Sequence, residues 1–330
     1  MRLLTVRHVT IYRYSEPVGL GEHRMMFRPR ESHDLRLIKT RLNIMPKPKH
    51  LRWLHDVFDN SVAVATFSGR TSELRFESTV TLEHVETALP DYALDPDAKT
   101  YPFAYPSDDR PDLTRALKRH YPAADVDHWA ASFLAPSGST GTIALLRSMT
   151  LGIREQFVYS HRIERDVQTP SETLQRGRGT CRDFALLMIE GVRSLGLAAR
   201  FVSGYIFVPD ADRAPTVSGG ATHAWLQVYL PGAGWVDFDP TNSIIGNRNL
   251  IRVAVAWDPA QALPLWGSHR LRVFLPRYGG YGERGRRDAP VQDAIHWENM
   301  VYDLTCHIDC ALPGRDISRG LSCRSGSATS

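Results

Sequence analysis

Residues 177–196 decide the fold: Gly177–Arg178–Gly179–Thr180–Cys181–Arg182–Asp183–Phe184–Ala185, running on through Leu187, Met188 and Val192 to Leu195 and Gly196. Phe184, Leu187, Met188, Val192 and Leu195 fall at helical spacing on one stripe, which predicts an amphipathic helix over Thr180 to Leu195. Gly196 is placed to end it, because glycine takes the left-handed conformation after a helix at little cost. Cys181 then stands at the start of the helix, behind two glycines that let backbone and ligand approach closely. A thiol there faces unpaired backbone N–H groups and the positive end of the helix dipole, and both favour the thiolate. Of the four cysteines, Cys181 stands alone and Cys306, Cys310 and Cys323 crowd the C-terminus, so no disulfide framework is expected.

Downstream the pattern changes from helical to extended. Ala199 to Val208 is a strand candidate. A Gly/Ser loop, Ser218–Gly219–Gly220–Ala221–Thr222, then delivers His223 to the mouth of a second strand, Ala224 to Leu230, with Trp225 and Gln227 opposite Leu226 and Val228. Pro231–Gly232–Ala233–Gly234 signals a hairpin, and Trp235 to Phe238 is the returning strand. An antiparallel return brings the start of one strand beside the end of the next. Asp239 can therefore hold the second nitrogen of His223, fix its tautomer and stabilise the imidazolium. Asp237 shares that face and competes for the role; Asp239 is preferred because Pro240 ends the ladder and frees its side chain.

Four segments in order, Gly179–Thr180–Cys181–Arg182–Asp183–Phe184–Ala185, Leu197–Ala198–Ala199–Arg200–Phe201–Val202–Ser203–Gly204–Tyr205, Thr222–His223–Ala224–Trp225 and Gly234–Trp235–Val236–Asp237–Phe238–Asp239–Pro240–Thr241–Asn242, closely resemble the bacterial transglutaminase-like superfamily. The resemblance implies a papain-like core whose Cys-His-Asp triad falls on Cys181, His223 and Asp239. It implies acyl transfer on protein or peptide amides through a thioester, as a protease or amidase, with protein cross-linking or a non-catalytic interaction module as the alternatives. The Cys181 backbone N–H would be one oxyanion donor. Trp225 would wall the site, and Asp183 occupies the family's acidic position after the cysteine, where it would stabilise the first helical turn; both are taken as substrate-side residues. No cofactor is implied, and no oxygen-rich calcium loop is present. Cys306, His307, Cys310 and Cys323 could be drawn as a zinc site, but the spacing is loose and no metal is expected.

The fold class expected is therefore α+β, an antiparallel β-sandwich followed by the papain-like core. Residues 1–88 carry the strand signals, Thr5 to Tyr14, Leu35–Leu37, Leu42–Ile44, Val62 to Phe67 and Leu74 to Leu82, and resemble the domain that precedes the core in a bacterial subgroup. Residues 89–136 read as a proline-rich linker with short helices at Leu113 to His120 and Asp127 to Leu134. The core spans 137–266 and opens with a helix from Gly141 to about Phe157. After Trp266 the resemblance fails: residues 267–330 show little strand alternation, and Gly279–Gly280–Tyr281–Gly282–Glu283–Arg284–Gly285–Arg286–Arg287 reads as disordered. That tail reads as an unrelated extension or a shifted reading frame.

Composition sets the remaining bounds. The chain has 330 residues, 42% hydrophobic and 23% charged, which is the make-up of a folded globular protein. Its net charge of +4 is spread thinly, so a nucleic-acid partner is not expected. No apolar run of membrane-spanning length occurs and the N-terminus carries Arg2, Arg7 and His8, so a cytoplasmic protein without a membrane partner is expected.

Overall fold

The computed structural model describes residues 1–86, 93–136, 138–160, 166–207, 222–270 and 300–310. In chain order its strands are β1 (Arg2–Met25), β2 (Leu35–Met45), β3 (His50–His55), β4 (Ser61–Thr66), β5 (Arg70–His84), β6 (Thr100–Tyr101), β7 (Thr140–Gly141), β8 (Val158–Tyr159), β9 (Arg178–Gly179), β10 (Ala199–Ile206), β11 (Thr222–Leu230), β12 (Gly234–Asp239), β13 (Ile244–Ile245), β14 (Leu250–Ala256), β15 (Leu265–Arg270) and β16 (Met300–Cys310). The helices are α1 (Arg110–Leu117), α2 (Ala124–Ala131), α3 (Thr142–Gln156), α4 (Pro170–Arg176) and α5 (Cys181–Ser194).

Strict alternation builds the N-terminal sheet. Leu74, Phe76, Ser78, Val80 and Leu82 of β5 are buried while their neighbours are not, the period of a strand with one wet face. The strand order is β2-β5-β1-β4-β3, all antiparallel, with β15 and β16 also on β1. β1 is 24 residues long. It pairs with β5 and β16 along its first half and with β4 and β15 towards its end. These strands form one hydrogen-bonded sheet, and the layer facing it comes from the core: Leu4, Val6, Val80 and Leu82 pack against Tyr205, Phe207, Ile251 and Val253 of β10, β14 and their flanks. The sheet-on-sheet packing thus joins the two halves of the chain.

The core sheet is antiparallel, in the order β13-β12-β11-β10-β14. One face carries Ala224, Leu226, Val228, Val236 and Phe238 against α5; the other carries Trp225 and Val202. Phe184, Leu187, Met188 and Val192 of the expected stripe are buried and Leu195, just past the helix, partly so; Ala185, Leu186 and Ile189 are buried too, because α2, α3 and α4 close around the helix. A helix covered on all sides needs apolar residues on all sides. Gly196 follows it at φ +76°, as the sequence predicts.

Three differences from the sequence reading have plain causes. The prolines of the linker predict no helix before Leu113, yet α1 starts at Arg110 with Pro111 in its first turn, where a missing N–H leaves no bond unmade. β3 has no apolar alternation to announce it; all of its residues but Leu54 are exposed, and it is an edge strand. β16 lies in the stretch given no strand, although Met300, Tyr302, Leu304, Cys306, Ile308 and Cys310 do alternate with more polar residues. It pairs with β1 in register from Leu4↔Cys310 to Tyr14↔Met300. The rest of the tail reading, including residues 279–287 and Cys323, lies outside the described residues.

Candidate active site

The β8–β9 pair, Tyr159↔Gly179, leads the chain directly into α5. Cys181 is the first residue of that helix, a free thiol only 8% exposed. Asp183 fastens the turn around it. Its Oδ2 accepts from the Thr180 N–H at 2.7 Å and the Thr180 hydroxyl at 2.9 Å, and its Oδ1 accepts from the Gln168 N–H at 2.7 Å. The carboxylate thereby satisfies an orphan donor at the helix start and complements the dipole.

His223 and Asp239 meet across the β11–β12 ladder. The His223 Nε2–H donates to Asp239 Oδ2 at 2.8 Å, and both side chains are fully buried. Asp239 is held from other sides as well: Oδ1 accepts from the Thr241 N–H at 2.9 Å and the Asn242 N–H at 3.3 Å, and Oδ2 from the Asn242 amide at 2.8 Å. The Asn242 amide also lies 3.2 Å from His223 Nε2. With the Nε2 proton committed to Asp239, that contact is packing, and the amide donates to the carboxylate. The tautomer follows from this hydrogen-bond logic. Nδ1 is the buried ring nitrogen that Asp239 leaves open, and Cys181 lies close enough to act on the ring. Burial alone would lower the His223 pKa; the Asp239 charge and hydrogen bond, helped by Cys181, outweigh it and push the pKa up to about 10. The site therefore favours imidazolium.

Asp237 takes a separate role from Asp239. It accepts from Trp225 Nε1 at 2.7 Å, and Arg252 Nη1 donates to it at 3.3 Å. The register Gln227↔Asp237 and Leu226↔Phe238 explains the division, because each carboxylate reaches the ring lying diagonally across the ladder. Trp225 also stacks on His223, with ring centroids 5.9 Å apart at 24°.

The structure pairs His223 with Asp239 and sets Cys181 close to the imidazole, while Trp225 and Asp183, expected on the substrate side, are enclosed. Both are 0% exposed. Trp225 is packed among Val202, Ile206, Leu250, Val255 and Phe58 beside His223, and Asp183 lies beneath the first turn of α5, so the one supports the imidazole and the other the turn that carries Cys181. Two contributors were missed. Asn242 ends the Gly234–Asn242 segment, and nothing in the sequence gives it a role. Tyr159 packs edge-on against Phe184 with centroids 6.4 Å apart; burial, then the Cys181 charge, raise its pKa, which keeps the phenol protonated beside the thiol. An isolated tyrosine 22 residues before the cysteine gives no local signal. Among the described residues no cluster of His, Cys, Asp and Glu is arranged to hold a metal. Cys306, His307 and Cys310 lie on β16, where only the backbone is described.

Residues 4–83 match the bacterial transglutaminase-like N-terminal region, and residues 129–240 match the transglutaminase-like superfamily core. An uncharacterized protein of Mycobacterium tuberculosis (strain H37Rv) is 30% identical over 271 residues, 79% of this chain and 86% of its own. The chain belongs to the transglutaminase-like superfamily. An uncharacterized Mycobacterium leprae protein is 39% identical over 97 residues, covering 29% of this transglutaminase-like chain and 34% of its own. Among solved structures, one described as "a Putative Cysteine Protease from Cytophaga hutchinsonii" superimposes with a TM-score of 0.61 at 16% identity, over 97% of this chain and 94% of that one. At that identity the likeness is one of fold.

Proposed function

We propose that the protein carries out cysteine-dependent acyl transfer on protein or peptide amides, acting as a protease or amidase. The observation that carries this reading is the buried His223–Asp239 pair, 2.8 Å apart, whose other ring nitrogen is left to the thiol at the N-terminus of α5. The Cys181 thiolate attacks the amide carbonyl carbon, and the C–N bond breaks as the His223 imidazolium gives its proton to the leaving amine. A thioester on Cys181 remains. Water then attacks it, His223 takes the water's proton as a base, and the acid leaves as the thiolate is restored. The Cys181 backbone N–H is one of the donors a helix start aims at the developing oxyanion. Because His223 is burdened with a carboxylate on one side only, its proton has a single exit, towards Cys181 and the substrate.

Casein incubated with a fluorescent amine separates the outcomes. New peptide termini that disappear in Cys181→Ala support hydrolysis. Amine incorporation that disappears in the same variant assigns the thioester to cross-linking instead. Wild type and Cys181→Ala giving the same products would remove the catalytic reading in favour of an interaction module.

A further inference from the structure

The sheet face that carries His223 looks towards the N-terminal half of the chain, and a continuous polar contact crosses between the two. Asp34, at the mouth of β2, pairs through Oδ1 with Arg252 Nη2 at 2.6 Å; the other nitrogen, Nη1, reaches Asp237 Oδ2 at 3.3 Å. Asp237 Oδ1 in turn holds the Trp225 indole N–H at 2.7 Å, and the indole stacks on His223. Asp34 is itself fixed: Asn247 donates to Oδ2 at 2.7 Å and the Ser32 hydroxyl to Oδ1. The chain of contacts joins residues more than 200 positions apart in sequence. All four of its members between the N-terminal sheet and the imidazole are buried or nearly so.

We propose that Asp34 is a positioning residue for His223, acting through Arg252, Asp237 and Trp225, so that the N-terminal sheet is a working part of the catalytic site. The proposal rests on the catalytic reading above.

The geometry explains why a fork is needed. One guanidinium spans two carboxylates from different halves of the molecule, each taking a different terminal nitrogen. With Asp34 charged, Arg252 divides its donors and leaves Asp237 Oδ1 for the indole. With Asp34 neutral, only the Ser32 hydroxyl, 3.0 Å from Nη2, holds the guanidinium on that side, and it can close on Asp237, drawing that carboxylate off the indole. The ring beneath His223 then loses its only hydrogen bond. Burial would raise the Asp34 carboxyl, but the Arg252 charge and hydrogen bond, with Ser32 and Asn247, hold it well below the usual range, so the pair is intact wherever the enzyme would work. Arg30, Arg200 and His84 are the other charged or titratable groups whose fields meet that of Arg252. Cys181 and Asp239 are those acting on His223.

The test uses the full chain and iodoacetamide, with labelling at Cys181 followed by mass spectrometry across a pH series. Asp34→Asn is expected to lose on the order of tenfold of its Cys181 reactivity at neutral pH, less than the roughly hundredfold of a full ångström of misplacement. Its pH profile should move towards that of a free thiol. Arg252→Lys keeps the charge but reaches only one carboxylate, and should show the same loss. Asn60→Ala is the control: Asn60 bonds both the Val255 carbonyl at 2.8 Å and the Val255 N–H at 2.9 Å and accepts from Arg30 at 3.0 Å, so its loss loosens the same docking while every hydrogen bond among Asp34, Arg252, Asp237 and Trp225 stays in place. It should keep the wild-type profile. An Asp34→Asn profile that coincides with wild type, or an Asn60→Ala profile that matches Asp34→Asn, overturns the proposal. Wild-type labelling no faster than a free thiol would instead remove the catalytic reading itself.

Discussion

Asp183→Ala distinguishes a carboxylate that builds the site from one that binds substrate. Asp183 is wholly enclosed and accepts hydrogen bonds from the Thr180 N–H, the Thr180 hydroxyl and the Gln168 N–H. Truncation leaves two backbone N–H groups buried without acceptors. Each costs roughly 1–3 kcal/mol, and bonds to a charged acceptor lie at the upper end, so a loss of about 3–5 kcal/mol is expected. That is a large share of the roughly 5–15 kcal/mol that separates a folded domain from its unfolded chain. Asp183→Asn keeps the shape but turns an NH2 group towards one of the donors, and should cost about half as much. Urea unfolding followed by tryptophan fluorescence reads the loss as a lower midpoint at unchanged slope. Cys181 labelling on the still-folded fraction should slow in parallel, because the turn that carries the thiol is no longer pinned. The reasoning fails if Asp183→Ala unfolds within about 0.5 kcal/mol of wild type while the KM for casein rises, since that is the behaviour of a substrate ligand.

Three further outcomes follow from other parts of the structure. His8 is buried against Phe27 and Tyr205, and burial lowers its pKa to about 4. The unfolded chain binds that proton from about pH 6.5 downward, so stability should fall by about 3 kcal/mol between pH 6.5 and 4 and level off below; His8→Phe should flatten that slope in thermal melts at several pH values. Gly204→Ala places a Cβ against the Ile251 carbonyl and 2.8 Å from the Trp225 ring. It should cost roughly 1–3 kcal/mol in urea and slow Cys181 labelling, whereas an alanine accommodated without loss would show that the packing under His223 is slack. Arg193→Met takes from the fully buried Glu190 its partner at 2.8 Å and leaves it the His120 and Tyr121 N–H groups and Arg119 at 3.8 Å, so it should cost about 3 kcal/mol in the same unfolding assay, with Glu190→Gln added to it restoring part of the loss.

The parts of the site legible in the sequence are those whose signals are local. Cys181 announces itself because a single helix carries both the stripe and the N-terminal thiol. His223 and Asp239 announce themselves because one hairpin turn fixes their register. Even the choice between Asp239 and Asp237 was open to a local argument, since Pro240 ends the ladder beside one of them. Arg252 and Asp34 gave no such signal: their contact spans 218 residues and exists only once two sheets have packed. The enclosure of Trp225 and Asp183 is not legible either, because sequence spacing reports which residues are close and not which of them remain open to solvent. β16 was passed over for a related reason: its alternation is regular, but it lies 30 residues past the last residue of β15, after a glycine- and arginine-rich stretch that drew the whole tail into one reading.

The most direct test of the account is Cys181 alkylation in wild type and in His223→Ala at mildly acidic pH, where a free thiol is almost wholly protonated. A thiol paired with an imidazolium should react well ahead of a free thiol there, and His223→Ala should abolish the excess while leaving the fold intact by circular dichroism. If Cys181 reacts at the free-thiol rate with His223 in place, or keeps its excess without it, the two side chains do not form a working pair and the catalytic account is wrong.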